Sequence, residues 1–233
     1  DNGYSMCSTP DGGFISAGIA ESSGRGDSDV YVIRGNRHGR ILWERCYGDT
    51  LDDGAYDIMV QSNGDFIITG FKTTVNLDTD IYLLFLSQNG EVINSEVYSK
   101  PGDQRGYSIL EAEEGGYLIC GFSDLKREEG RNIYLLRIDE KGNRVWDKEY
   151  GGVNDDRAFR VIPAIDGGHI VLGYSSSNIR RVYNIYMLKV TRSGEKVWEK
   201  NIGGKFSDRG YSAISINDEG YIITGWSESF GSG

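Results

Sequence analysis

The 233-residue sequence is poor in proline, cysteine and histidine, with 3, 3 and 2 of them. Proline lacks the backbone N–H that sheet ladders need, so its scarcity leaves long stretches free to pair. His38 and His169 alone cannot build a histidine-rich zinc centre, and no histidine-based triad is readily assembled. A GxSxG elbow and a phosphate-binding P-loop are absent as well. Cys7, Cys46 and Cys120 form no C-x-x-C pair and are odd in number, so three free, buried thiols are expected. No apolar run reaches the roughly 18 residues of a membrane span, and the N-x-[ST] pattern does not occur. Positive charge is in deficit, 25 Lys and Arg against 35 Asp and Glu, for a net charge of −10. That balance argues against nucleic acid as a partner and, with the missing apolar run, against membrane insertion.

What the sequence has in quantity is glycine, 33 residues of it, spaced with a period. Tyr4, Tyr56, Tyr107, Phe159 and Tyr211 fall at intervals of 52, 51, 52 and 52 residues. About ten residues after each comes a turn: Asp11-Gly12-Gly13, Asn63-Gly64-Asp65, Glu114-Gly115-Gly116, Asp166-Gly167-Gly168 and Asp218-Glu219-Gly220. An apolar run follows each turn and ends in Gly18, Gly70, Gly121, Gly173 or Gly225. Next come Asp29-Val-Tyr-Val-Ile, Asp80-Ile-Tyr-Leu-Leu, Asn132-Ile-Tyr-Leu-Leu and Asn184-Ile-Tyr-Met-Leu. Gly39, Gly90, Gly142 and Gly194 then mark hairpins needing positive φ, and Trp43, Asn94, Trp146 and Trp198 stand four residues later.

Each unit thus holds four short strands, A to D; in the third they run near Tyr107, Tyr117 to Cys120, Ile133 to Ile138 and Arg144 to Tyr150. On this register Cys7 and Cys46 occupy strands A and D of one unit, roughly 14 Å apart and beyond disulfide reach. A lone four-stranded meander cannot bury both faces, so successive meanders must stack, and the radial solution is a β-propeller. No window carries the 3.6-residue apolar period of a helical solenoid; a parallel β-helix is the other all-β array. The expected fold is an all-β, four-stranded antiparallel propeller of four complete repeats, 3–54, 55–105, 106–157 and 158–209. A half blade with A and B strands only occupies 210–233, and all five form one propeller or propeller fragment. Two readings of that half blade stand: a segment of a larger ring, or closure by the half blade, including self-association between two chains.

The stretch Tyr134-Leu-Leu-Arg-Ile-Asp-Glu-Lys-Gly-Asn-Arg-Val-Trp146 resembles the tryptophan-docking blades of quinoprotein-like propellers. Tyr150-Gly151-Gly152 before Asn154-Asp155-Asp156 is similar to the blade junction of propeller repeats of bacterial and archaeal surface proteins, in which Asp-Gly-Gly-Tyr, a glycine-ended strand and Trp-x-x-x-Tyr-Gly-Gly recur. The resemblance implies that the D-strand tryptophan packs between blades, and it implies an extracellular or cell-surface location. No quinone site is implied. Asn94 breaks the pattern, so one seam should lack its ring and be among the weaker ones.

The B–C loops are long and variable, and in a meander they share an edge with the D–A connections, where binding function concentrates. The candidate binding face carries Asp52, Asp53, Asp103, Arg105, Asp155, Asp156, Arg157, Asp208 and Arg209. A ring of carboxylate and guanidinium suits a glycan, a protein or peptide, or Ca²⁺; equally, such Asp residues hydrogen-bond local backbone in Asx-turns. Asp27-x-Asp29 and Asp78-x-Asp80 have a spacing that Ca²⁺ sites use, but units three and four replace the first Asp by Gly130 and Val182. No cofactor is expected. Tyr31, Tyr82, Tyr134 and Tyr186 in strand C are expected in packing rather than as sugar platforms. The favoured reading is a non-catalytic binding scaffold; the alternative is a glycoside hydrolase-like enzyme using Asp57, Glu111 and Glu113.

Overall fold

The computed structural model describes residues 1–124, 130–177, 182–217 and 220–230. Outside them lie Asp218 and Glu219 of the fifth turn, stretches 125–129 and 178–181 of two B–C loops, and 231–233. Eighteen strands and no α-helix occur among the described residues, so no helix is available to cross a membrane. The first two blades are β1 (Asn2–Ser8), β2 (Phe14–Ala20), β3 (Asp29–Gly35), β4 (Ile41–Tyr47), then β5 (Asp53–Val60), β6 (Phe66–Thr73), β7 (Thr79–Leu86) and β8 (Val92–Tyr98). The third is β9 (Asp103–Glu111), β10 (Tyr117–Asp124), β11 (Asn132–Ile138) and β12 (Arg144–Tyr150). The fourth is β13 (Asp156–Pro163), β14 (His169–Ser175), β15 (Asn184–Val190) and β16 (Lys196–Ile202), followed by the half blade β17 (Asp208–Ile216) and β18 (Gly220–Ser227). Each set forms one antiparallel meander in chain order, four of four strands and one of two. The chain divides into two compact units, Asp1–Ile109 and Leu110–Gly233.

The expected C and D strands agree with the third blade to within a residue, but strand B runs on to Asp124 rather than stopping by the glycine. The glycine does not end the strand because its task is different. In strand A the register skips Tyr4, Tyr56, Phe159 and Tyr211, each a bulge residue. Opposite these bulges stand Gly18, Gly70, Gly173 and Gly225, where a Cβ would lie only 1.8–2.0 Å from a strand-A carbonyl oxygen. The column of aromatics and the column of glycines are therefore two sides of one bulge.

Apolar faces meet between consecutive blades. In the first unit Ile15, Ala17, Val30 and Val32 pack with Ile58, Phe66, Ile68 and Leu84 of the second blade. In the second unit Leu118, Cys120, Ile133 and Leu135 join Val161, Val171 and Leu188, and a further cluster joins Leu172 and Met187 to Ala213. Strand D reaches across. Trp43 Nε1 donates to the Gln88 carbonyl at 3.3 Å, and Arg45 and the Tyr47 hydroxyl both donate to the Gly90 carbonyl at 2.7 Å. Tyr150 likewise donates to the Gly194 carbonyl at 2.5 Å, with Trp146 against the same glycine. Gly39, Gly90, Gly142 and Gly194 have φ between 76° and 87°, the left-handed turn conformation expected of them. In the second blade Asn94 pairs in register with Phe85, whereas Trp43, Trp146 and Trp198 pair with Arg34, Arg137 and Lys189.

The strand-C tyrosines Tyr82, Tyr134 and Tyr186 are buried, as packing requires, but Tyr31 of the first blade is only half-buried and donates its hydroxyl to Glu44 at 2.8 Å. All three cysteines are free, but only Cys120 is buried; Cys7 and Cys46 are half-buried, contrary to expectation. Cys7 lies on strand A, where its thiol still reaches the Ile58 carbonyl at 3.0 Å.

His169 opens β14 with its ring buried, and burial holds its pKa below the ordinary 6.5 although Glu114 and Glu113 pull it up. Between that depressed value and 6.5 the unfolded chain binds a proton that the folded chain refuses, so stability falls as pH drops through this window. Urea midpoints should therefore decline as the pH falls below about 6.5. In His169→Tyr, which copies Tyr117 of the third blade, that component of the decline should vanish.

Candidate binding site

The residues of the candidate face separate into three columns with different environments. Asp53, Asp156 and Asp208 are fully buried at the first position of strand A. Each accepts a hydrogen bond from the amide four residues earlier: Asp49 N at 3.1 Å, Gly152 N at 2.7 Å and Gly204 N at 2.9 Å. Gln104 takes the same place in the third blade and accepts from Lys100 N at 3.0 Å. Side chains at the end of strand B or just beyond it complete the cap: Lys72 on Asp53 at 2.8 Å, Ser177 on Asp156 at 2.7 Å and Ser229 on Asp208 at 2.7 Å. Burial pushes the Asp53 carboxyl up while Lys72 pulls it down. These three carboxylates follow the local backbone-capping alternative and are not available to a ligand at the surface.

One residue earlier the column is more open. Asp52 is exposed and accepts from the Ser28 hydroxyl at 3.0 Å; Asp103, half-buried, accepts from Thr79 N at 2.8 Å. Asp155 receives Arg157 through two bonds of 3.1 and 3.2 Å and the Tyr174 hydroxyl at 3.0 Å. Ser207 stands where the fourth acid would be.

The third column is Arg105, Arg157 and Arg209, all half-buried. Each stacks on the aromatic ring that follows the strand-B glycine of the preceding blade. Arg105 lies 4.1 Å from the Phe71 centroid, Arg157 5.2 Å from Phe122 and Arg209 5.1 Å from Tyr174. Arg105 also donates to the Tyr56 hydroxyl at 3.0 Å. Tyr56 in turn stands in a row of bulge rings, 5.2 Å from Tyr4 and 4.6 Å from Tyr107; in the second unit Phe159 and Tyr211 are 5.2 Å apart. The aromatic column Phe71, Phe122, Tyr174 and Trp226 went unread in the sequence, though its spacing of 51, 52 and 52 residues was there to find.

Arg209 differs from its two counterparts. Tyr183 at 4.5 Å, Tyr174 at 5.1 Å and Trp226 at 5.7 Å surround its guanidinium. Its Nε is buried without a hydrogen-bond partner, and no acid pairs with it among the described residues, because the Asp155 position is serine here. Arg105 has no ion pair among the described residues either, but it donates to the Thr79 and Tyr56 hydroxyls at 3.4 and 3.0 Å, whereas Arg34, lining a cleft of about 240 Å³ at the A–B turns, holds Asp11 through two bonds of 2.7 Å.

Of the carboxylates considered for catalysis, Asp57 is buried, and both oxygens accept structural hydrogen bonds, from the Ser5 hydroxyl, Ile58 N and Ile109 N. Glu111 is exposed, and Glu113 pairs with Arg192 between turns. Asp27 is exposed, whereas Asp29 is buried and caps the amides of Arg25 at 2.6 Å and Gly26 at 3.1 Å. Among the described residues no group of three or more His, Cys, Asp or Glu is placed to hold a metal ion.

No protein-family model matches the chain, and no curated protein does. Solved structures do. The chain is similar to the endo-arabinase of Bacteroides thetaiotaomicron, with 12% identity, 92% of this chain and 84% of that one covered, and a TM-score of 0.53. Matches also include a puromycin hydrolase (12% identity, 93% and 32% covered, TM-score 0.48) and Sqt1 from Chaetomium thermophilum (11%, 92% and 64%, TM-score 0.46). The chain spans less than two thirds of either of these two proteins. At 12% identity the arabinase likeness speaks for fold alone. With the four-stranded meanders and the half blade, it defines the architecture as a β-propeller.

Proposed function

We propose that the chain is a non-catalytic binding module whose site lies on the face of the B–C and D–A connections. The observation that carries this reading is Arg209, a guanidinium walled by three aromatic rings and left without an acidic partner among the described residues. Such a group favours an anionic ligand, because a carboxylate supplies the missing acceptors while the rings exclude water around the pair. The ligand class is a carboxylate-bearing glycan or peptide. The glycosidase alternative finds less support, since both oxygens of Asp57 are occupied by structural donors. Membership of the tryptophan-docking repeats is part of this proposal, supported by Trp43 and Trp146 against the next blade's turn. A cell-surface location follows only from the sequence resemblance.

Titration of the purified chain with carboxylate-bearing and neutral oligosaccharides and peptides tests the reading. The expected result is preference for the acidic members and a loss of about 1.5–3 kcal/mol, roughly ten- to a hundredfold, in Arg209→Ala. Arg209→Lys should recover part of it, and far-ultraviolet circular dichroism should be unchanged in both. Equal binding of neutral ligands, or binding indifferent to Arg209, overturns the proposal.

A further inference from the structure

The seam between the first and second blades differs from the seam between the third and fourth at three positions of the same register. Opposite Leu188 and Val190 of β15 stand Glu199 and Lys196; opposite Leu84 and Leu86 of β7 stand Ser95 and Val92. In the fourth blade Glu199 accepts from the Tyr186 hydroxyl at 2.5 Å and from Lys196 at 3.0 Å, so an ion pair covers the outer end of that face. Ser95 and Val92 form no such pair, and the corner becomes shorter and apolar. The third exchange opens strand C, where the first blade has Asp29 and the third Asn132.

At this seam, within the first unit, lies a cleft of about 340 Å³ lined by Arg25, Asp29, Tyr47, Tyr82, Leu84 and Val92. Its volume and its make-up, an apolar wall with a few polar groups, are those of a small-molecule site. Asp29 is 1% exposed, and its two oxygens are used unequally. Oδ2 accepts the amides of Arg25 and Gly26, while Oδ1 has no hydrogen-bond partner. The free oxygen is turned toward Gly48, another residue of the cleft wall, where a Cβ would come within 1.8 Å of it. A buried acceptor without a donor costs free energy that a ligand N–H recovers. Arg25 is exposed, and its guanidinium makes no ion pair among the described residues.

We infer that this cleft binds a free α-amino acid with an apolar side chain. The ammonium group donates to Asp29 Oδ1, the carboxylate takes the Arg25 guanidinium, and the side chain lies against Tyr82, Leu84 and Val92. Both ligand charges are required, because a bare amine meets the Arg25 charge and a bare carboxylate meets that of Asp29.

Calorimetric titration of the full chain with L-leucine and L-phenylalanine should show saturable one-to-one binding of at least one of them. Affinity should fall roughly tenfold or more for its N-acetyl derivative, which lacks the ammonium, and for its methyl ester, which lacks the carboxylate. Two variants take residues that other blades already carry at these positions, and circular dichroism should show both folded. Asp29→Asn, copying Asn132, should weaken binding roughly tenfold or more, since an amide N–H replaces the open acceptor. Val92→Lys with Ser95→Glu, copying Lys196 and Glu199, should abolish it by rebuilding the ion pair over the cleft. No binding of either amino acid, equal binding of the acetylated or esterified form, or unchanged binding in both variants overturns the inference. So does binding that is lost in Arg209→Ala and kept in Asp29→Asn, since the ligand would then sit at the other site.

Discussion

Alanine at Gly173 should lower the stability of the chain by about 3 kcal/mol or more, whereas alanine at Gly167 should cost only about 1 kcal/mol. The two glycines serve different ends. Gly167 sits in a turn at φ +89° with nothing within 4 Å of a would-be Cβ, so a side chain there meets conformational strain and no atoms. At Gly173 a Cβ would stand 1.8 Å from the Arg157 carbonyl oxygen and 2.8 Å from the Ala158 Cα. Those neighbours are backbone atoms of the two residues just before the bulge and cannot swing aside, so relief requires β13 to separate from β14. Gly70, with the Gly54 carbonyl oxygen at 1.9 Å, should behave like Gly173. Equilibrium urea unfolding of the three variants ranks them directly; equal midpoints for Gly167→Ala and Gly173→Ala would mean the bulge has no such demand.

Asp57→Ala should be the most damaging change at an acidic position in the first unit, at about 3–4 kcal/mol. This carboxylate links three consecutive A strands. Oδ1 accepts the Ser5 hydroxyl of β1 at 2.6 Å and its neighbour Ile58 N at 3.0 Å, while Oδ2 accepts Ile109 N of β9 at 3.1 Å. Removal leaves buried donors without acceptors, and each such group costs about 1–3 kcal/mol. Asp57→Asn should fall between, because an amide keeps one acceptor oxygen but points N–H at the donors on the other side. Asp52→Ala, at an exposed carboxylate with one surface hydrogen bond, should stay within about 0.5 kcal/mol. If Asp57→Ala unfolds at the denaturant concentration of Asp52→Ala, the three-strand link carries no weight, and the catalytic assignment of Asp57 regains interest.

Much of the architecture could be read from spacing because the determinants are local. A hairpin glycine at positive φ constrains its own residue, and the alternation of turn and apolar run marks strands without reference to distant chain. Strand D of the third blade, Arg144–Tyr150, was legible to the residue for that reason. Strand B was misjudged at its end because Gly121 looked like a terminator when its counterparts answer a bulge on the strand beside them. The candidate face was readable as a set of positions whose environments the sequence does not separate. Asp52 and Asp53 are adjacent in sequence, yet one is exposed and the other fully buried.

By itself the sequence determined the four-stranded repeat, the order of its strands, the turn glycines and the shared edge of the variable connections. Periodicity and backbone stereochemistry suffice for these. Only the tertiary structure decided which carboxylates are caps and which arginine is walled by three aromatic rings. Those properties depend on partners brought in from neighbouring strands and blades, as Phe71 is to Arg105 and Ser5 to Asp57. Burial and charge compensation are set by such contacts, and no residue carries a record of them in its own neighbourhood along the chain.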